Sequence, residues 1–332
     1  MQSPITGKEM KLHIYDSQLK VRKEAFDVKY HVYKCEDTGE EFETPSLVEI
    51  NLRQAIDQYR SKYNLPFPEE IRSIREQYGI SAAKMSEVLR FGINQYKQYE
   101  NGELPSESNA SLIFMAAQPK SFSQLVELSS LSREEKDKLQ KKSEGLYEQN
   151  PHQQEYEWTT YLFMGLNRPD VERGFRKPDL FHFAAMISFF AVHLSPFKTQ
   201  MNKLLFYADF YHFRKHGRSI SGAKYRAIEM GPVPNNFDAI FQFAENENFV
   251  ILDHHEFPNG AIGTKFFPNP AAKIEDYLTE LELESLKEVL ERFRNVKSQD
   301  IIQLSHEENA WVNNAGTRSI ISYLDAYCLK AM

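Results

Sequence analysis

Apolar residues recur along much of this chain at helical spacing, and the alternating spacing of strands is confined to short stretches. Between positions 69 and 102, Ile71, Ile74 and Tyr78 form one helical stripe, and Gly79 can end that helix with a positive φ. Ser81 can cap a second helix striped by Met85, Val88 and Leu89, which Phe91-Gly92 then interrupts. In a third helix Ile93, Tyr96 and Tyr99 can turn inward, leaving Asn94, Lys97, Gln98 and Asn101 on the opposite face. Amides and a cation arrayed in this way suit base edges and phosphates, and Ser81, Lys84 and Gln95 complete the candidate DNA-reading set. Leu112, Ile113 and Met115, then Phe122, Leu125 and Leu128 behind Ser121, predict two more helices, five in all over 69–131.

Beyond a charged, apolar-poor stretch (132–177) that predicts a solvated helix and linker, the pattern changes. Phe181 to Val192 is apolar on nearly every side, as in a helix buried in a core. Met201, Leu204, Leu205, Ala208 and Tyr211 mark the next helix, closed by Gly217. Tyr225 to Met230 alternates like a strand, and Gly231-Pro232-Val233-Pro234 predicts a rigid corner before a helix over 236–245. A hairpin around Pro258-Asn259-Gly260 and helices over 272–295 and 298–308 follow, with a last one through Ile320, Ile321, Tyr323 and Leu324. Before position 45, Leu19, Val21, Val28, Tyr30, Val32 and Tyr33 predict strands; residues 45–63 read as helical, with Leu47, Ile50, Ala55 and Tyr59 at mixed spacing, and 49–68, broken by Pro66 and Pro68, predicts a connector. The expected architecture is mainly α: a small N-terminal β ribbon, a five-helix domain, and a mostly helical C-terminal domain (178–332) with a small sheet.

The N-terminal strands lie between Ser3–Gly7 (SPITG) and Cys35–Gly39 (CEDTG), two segments of matching form. A zinc ribbon is built from such a pair, each half giving Cys-x-x-Cys and a glycine. Here the four ligand positions read Ser3, Thr6, Cys35 and Thr38, and hydroxyls are poor zinc ligands, so a metal-free ribbon is expected over 1–48.

Tyr99-Glu100-Asn101-Gly102 with Pro105 and Ser106, after Ser81–Leu89, resembles the Xre/Cro type of helix-turn-helix, and more closely the C-terminal domain of MqsA-type antitoxins. In that family an Asn and an Arg four residues later contact bases; Asn94 matches the Asn, and Gln98 stands in the place of the Arg. The resemblance implies a homodimer on roughly palindromic operator DNA. Without the Arg, a contact to adenine through Asn94 or Gln98 is the natural expectation.

The order Lys203-Leu204-Leu205-Phe206-Tyr207-Ala208-Asp209, Gly222 with Tyr225, then Gly231-Pro232-Val233-Pro234 resembles the Panacea, or SocA-like, antitoxin domain. That resemblance implies a domain that binds and neutralises a co-encoded protein toxin. Tyr207, Tyr211, Tyr225 and Arg226 are residue types enriched in binding hot spots, and with Glu229, Gly231, Pro232, Val233 and Pro234 they make the expected toxin-binding set. The leading expectation is therefore an antitoxin that also represses its own operon. The alternatives are a transcription regulator whose C-terminal domain senses a ligand or another protein, and an adaptor that hands a client to a protease.

Composition adjusts this picture only slightly. The 332 residues carry a net charge of −7, which excludes a broadly cationic nucleic-acid coat but not a local basic face acting within a Debye length of about 8 Å. Two cysteines, Cys35 and Cys328, offer no disulfide framework, and no apolar run reaches the roughly 18 residues of a membrane span, so a cytoplasmic protein is expected. Catalytic signals are weak. His254 and His255 are adjacent on a predicted strand and point apart, Asp209 and His212 lack a third ligand, and no phosphate-binding glycine loop or nucleophile elbow occurs. No enzyme, cofactor or metal site is expected.

Overall fold

A computed structural model describes residues 1–148, 153–257, 260 and 262–332, with Gln153 and Gln154 described as backbone only. The chain is mainly helical with small antiparallel sheets near its N-terminus and in its C-terminal region. It divides into two compact units, Tyr59–Glu157, and Met1–Gln58 together with Trp158–Met332.

Unit Tyr59–Glu157 carries α2 (Pro68–Glu76), α3 (Ala82–Val88), α4 (Gln95–Glu100), α5 (Glu107–Ala117), α6 (Pro119–Leu128) and α7 (Arg133–Glu148). Pro68 occupies the first turn of α2, where its missing N–H costs nothing, and Glu70 accepts a bond from Phe67 N at 3.0 Å. The core joins Ile71, Ile74, Tyr78, Met85, Val88, Leu89, Tyr96, Tyr99, Ile113, Phe122 and Val126. Tyr78 stacks on Phe122 at 3.6 Å and donates to Ala116 O at 2.7 Å, so its polar end is satisfied as its ring is buried. The stretch expected to be a solvated linker contributes α7, which packs against α6 and sends Leu139 into this core, with Leu146 packed against it. Two apolar residues one helical face apart suffice to dock an otherwise charged helix, a signal too sparse to stand out in its Lys/Glu-rich surroundings.

The other unit starts with β1 (Lys11–Val21), β2 (Glu24–Lys34) and β3 (Glu41–Phe42), one antiparallel sheet in the order β1-β2-β3. The two terminal knuckles keep matching geometry: Gly7 N donates to Ser3 O at 2.9 Å and Gly39 N to Cys35 O at 2.8 Å. Thr6 Oγ1 lies 3.6 Å from Cys35 Sγ, and hydroxyl donors led by Thr38 hold that thiol down at about 6. The segment expected to be helical before the proline break is α1 (Pro45–Lys62), which supports the sheet. Asn51 bonds both the N–H and the carbonyl of His31, at 2.8 and 3.0 Å, and Gln54 does the same for Lys29 at 2.9 Å each. These amides satisfy one row of β2 backbone groups. The same unit closes on the C-terminal region through the Asp57–Arg218 ion pair at 2.5 Å and the edge of His31 against Tyr327.

From residue 153 onward the elements are α8 (Gln153–Met164), α9 (Leu180–Leu194), α10 (Lys198–His216), β4 (Tyr225–Ile228), β5 (Gly231–Pro234), α11 (Phe237–Asn246), β6 (Val250–Glu256), β7 (Ile262–Pro268), α12 (Glu280–Phe293), α13 (Ser298–Glu307) and α14 (Asn309–Val312). Helix α9 is buried along most of its length, and Asp179 caps it through Phe181 N and His182 N. Its neighbour α10 has no exposed residue from Met201 to Phe210.

Two expectations are corrected here. Gly231–Pro234 is not a corner but strand β5, paired antiparallel with β4 from Tyr225↔Pro234 to Ile228↔Gly231. In a two-stranded ladder alternate N–H groups point away from the partner, so Pro232 and Pro234 fit a sheet edge. Ile320 does not begin a helix. It forms a bridge with Arg226, Ile321 N bonds Tyr225 O at 2.8 Å, and only Tyr323–Cys328 turns, as a 3-10 segment. The β6–β7 pairing agrees with the expected hairpin, although Pro258 and Asn259 lie outside the described residues.

Candidate functional site

The first candidate face is built on α3 and α4. Tyr96 and Tyr99 anchor α4 from below: Tyr96 OH donates to Ile71 O at 2.7 Å, its N–H donates to Ser86 Oγ at 3.1 Å, and Tyr99 OH accepts from Asn109 Nδ2 at 2.8 Å. A buried ion pair, Arg75–Glu100 at 2.5 Å, ties α2 to the end of α4. With those residues turned inward, Asn94, Lys97, Gln98 and Asn101 are left exposed on one helix and its caps. Asn94 occupies the N-cap position, yet its side chain makes no capping bond, which leaves the amide available to a ligand.

The rest of the predicted set is less available. Ser81 is exposed, and its Oγ accepts Lys84 N at 3.2 Å to cap α3. Lys84 is half-buried between Glu87 at 2.9 Å and Glu135 at 2.8 Å, and Gln95 is half-buried with Nε2 on Glu103 at 3.1 Å. The Lys84 bridge, with help from Ser132, holds the Glu135 carboxyl down at about 2. Ile93 was expected to face the core. It is 81% exposed, because it precedes α4 in the turn and is not part of its inner stripe. Helical periodicity assigned it inward only by extending α4 one turn too early. This places an exposed aliphatic side chain beside Asn94.

The second candidate set, in the C-terminal region, behaves differently. Tyr207 and Tyr225 have no exposed surface, and Gly231 to Pro234 are all buried. In this fold they face other parts of the same chain. Tyr207 stacks on Phe293 at 4.6 Å and reaches Glu308 Oε1 at 3.3 Å. Glu308 also accepts Lys330 N and Ala331 N, so this tyrosine helps to fasten the last residues against α10. Tyr225 OH lies 2.8 Å from Asp209 Oδ2 and 3.0 Å from Leu205 O.

Asp209 is the hub of this frame. Its carboxyl accepts Ile220 N at 2.7 Å and Ser221 N at 2.9 Å, and also meets Ser221 Oγ and Tyr225 OH. Burial raises its pKa, against which these hydrogen bonds pull downward. Nearly two turns earlier on α10, Lys203 is fully buried and donates to Pro232 O at 2.9 Å; burial lowers its ammonium to about 7. Gly231, at φ +94, is required just there: a Cβ would sit 2.7 Å from Lys203 Nζ and 2.5 Å from Ser305 Oγ. Gly222, at φ +69, admits the Lys177 carbonyl, which a Cβ would meet at 2.5 Å. Burial also drives His212 down to about 3, with His216 adding to the effect, and it sits 2.9 Å from Ser285 Oγ.

What remains open to a partner is Arg226 and Glu229, both exposed, and Tyr211, half-buried against Glu288 and the Arg214 guanidinium. Arg226 is held outward by Asn235 Oδ1 at 3.2 Å and Arg318 O at 2.9 Å. Met230, absent from the predicted set, is 50% exposed in the β4–β5 turn beside Glu229. His254 and His255 do diverge: His254 Nδ1 is 3.3 Å from Thr264 Oγ1, whereas His255 abuts Phe257. Among the described residues no three His, Cys, Asp or Glu side chains cluster as a metal site, and no helix is long and apolar enough to cross a membrane.

No curated protein and no solved structure matches the chain significantly. Residues 201–312, from the buried start of α10 to the end of α14, match the family described as Antitoxin SocA-like, Panacea domain, and this similarity supports an antitoxin role in general terms.

Proposed function

We propose that this chain is an antitoxin that binds a co-encoded protein toxin through its C-terminal region and represses its own operon, as a homodimer, through α3 and α4. The observation that carries the reading is the match over 201–312, joined in one chain to a helix whose exposed face offers Asn94, Lys97, Gln98 and Asn101. Arg226, Glu229 and Met230, on and beside an edge ladder that the buried Asp209–Tyr225 frame holds rigid, are the proposed toxin contacts. A preorganised surface loses little side-chain entropy on binding. The reading needs no catalytic step and no cofactor.

Co-expression with the product of the adjoining reading frame tests it. Rescue of growth by the full chain, reduced by Arg226→Ala with Glu229→Ala, is the expected result; a toxic neighbour that the wild-type chain leaves fully active would sink the antitoxin reading. For the operator, a gel-shift titration on the chain's own upstream DNA should show binding that Asn94→Ala with Lys97→Ala weakens by about 100-fold.

A further inference from the structure

Helix α7 carries two features that weaken it as a helix and that no contact within the chain requires. Lys138 and Lys142 are like charges one turn apart, and Gly145 is a poor helix former in ordinary helical backbone. A Cβ at Gly145 would meet nothing within 4 Å, so neither packing nor a positive φ calls for glycine there. With Glu135 these residues form one row along the helix at i, i+3, i+7 and i+10, and Lys141 adjoins it. Lys138, Lys141 and Lys142 are exposed, and among the described residues none of them pairs with a carboxylate. Neighbouring cations are engaged: Lys84 holds Glu135 at 2.8 Å, Arg133 holds Asp137 at 3.2 Å, and Lys136 donates to Glu127 O at 2.6 Å. Asp137, Glu144 and Glu148 fall outside the row, and Glu134 borders it only at its start.

We propose that this row of α7 is a DNA-backbone contact, gripping phosphates that flank the bases facing α4. The Lys84–Glu135 pair fixes where the row begins, beside the start of α3 that Ser81 caps. Free ammonium groups neutralise phosphates whatever the base sequence, and the missing side chain at Gly145 lets a sugar–phosphate chain come close to the helix. An acidic protein would be drawn by the same charges; continuity with α3, in the same compact unit, favours DNA. This inference rests on the operator binding proposed above, and it assigns that binding a second element.

Fluorescence anisotropy of the full chain on its own upstream DNA, over a series of salt concentrations, tests it. The combined Lys138→Gln, Lys141→Gln and Lys142→Gln variant should lower the salt slope by about 2.7 and weaken binding by about 100-fold near 0.1 M salt, on the upstream DNA and on unrelated duplex alike. Gly145→Gln should raise the melting temperature yet weaken binding about fivefold, opposite signs that a purely structural glycine would not give. A wild type that fails to bind its upstream DNA would overturn both the α7 contact and the operator reading. The α7 contact alone would fall to a triple variant with an unchanged salt slope or to a Gly145→Gln variant that binds as tightly as the wild type. It would fall equally to a triple variant that keeps its DNA affinity but no longer rescues growth from the toxin, a result that sets these lysines against a protein.

Discussion

The α3–α4 face and the β4–β5 frame were both singled out by family-like motifs, yet the structure puts their residues in opposite places. Around α4 the motif residues that could touch a ligand, Asn94, Lys97, Gln98 and Asn101, are exposed, and the core is made by Tyr96 and Tyr99 between them. In the C-terminal region the motif residues themselves, Lys203, Tyr207, Asp209, Gly222, Tyr225 and Gly231 to Pro234, are the interior. Exposed motif residues on a helix can touch a ligand directly. Buried motif residues describe only the frame that holds a surface in place. A motif of buried residues therefore points away from the residues that do the binding.

That contrast can be broken first at Asp209. Removing its carboxyl leaves two backbone N–H groups and the Ser221 hydroxyl proton unpaired in a buried core, while Tyr225 OH keeps Leu205 O, so Asp209→Ala should cost about 4 kcal/mol in urea unfolding. A loss under 1 kcal/mol would show that the frame does not depend on this hub.

Lys203 gives the next largest effect, through pH. Its folded pKa, lowered to about 7 from 10.5, means that below pH 7 both states are protonated and the fold bears the whole cost of a buried ammonium. Between pH 7 and 10.5 the unfolded chain keeps the proton and the folded chain releases it, so stability rises with pH. Lys203→Met should therefore stabilise more at pH 6 than at pH 10, the two differing by roughly 4 kcal/mol. Equal effects at the two pH values would mean that this amine does not titrate on folding.

On the exposed face, Asn94→Ala with Lys97→Ala should weaken operator binding by roughly 3 kcal/mol while shifting stability by no more than about 0.5 kcal/mol, and the Lys97 change alone should lower the salt slope by about 1. Smallest is Arg226→Ala. We expect about 1 kcal/mol in calorimetric titration with the toxin, and little change in melting, since the side chain is exposed. A melt that fell as far as that of Asp209→Ala would place Arg226 in the frame after all.

Local pattern sufficed wherever a residue's surroundings were set by its own helix. The mainly α architecture, α2 to α6, the buried α9 and the outward turn of Lys97 and Gln98 all follow from a 3.6-residue period, because side chains three and four apart share a face. Capping was legible for the same reason, as at Ser81, whose partner is three residues away. Tertiary structure alone decided where distant segments supply the environment. Ile93 is exposed because α4 starts after it; Leu139 is buried because α6 faces it; Tyr207 and Tyr225 are interior because Glu308 and Asp209 meet their hydroxyls. Whether an aromatic binds a partner or fills a core is a question about what lies across from it, and spacing along one strand or helix carries no information on that.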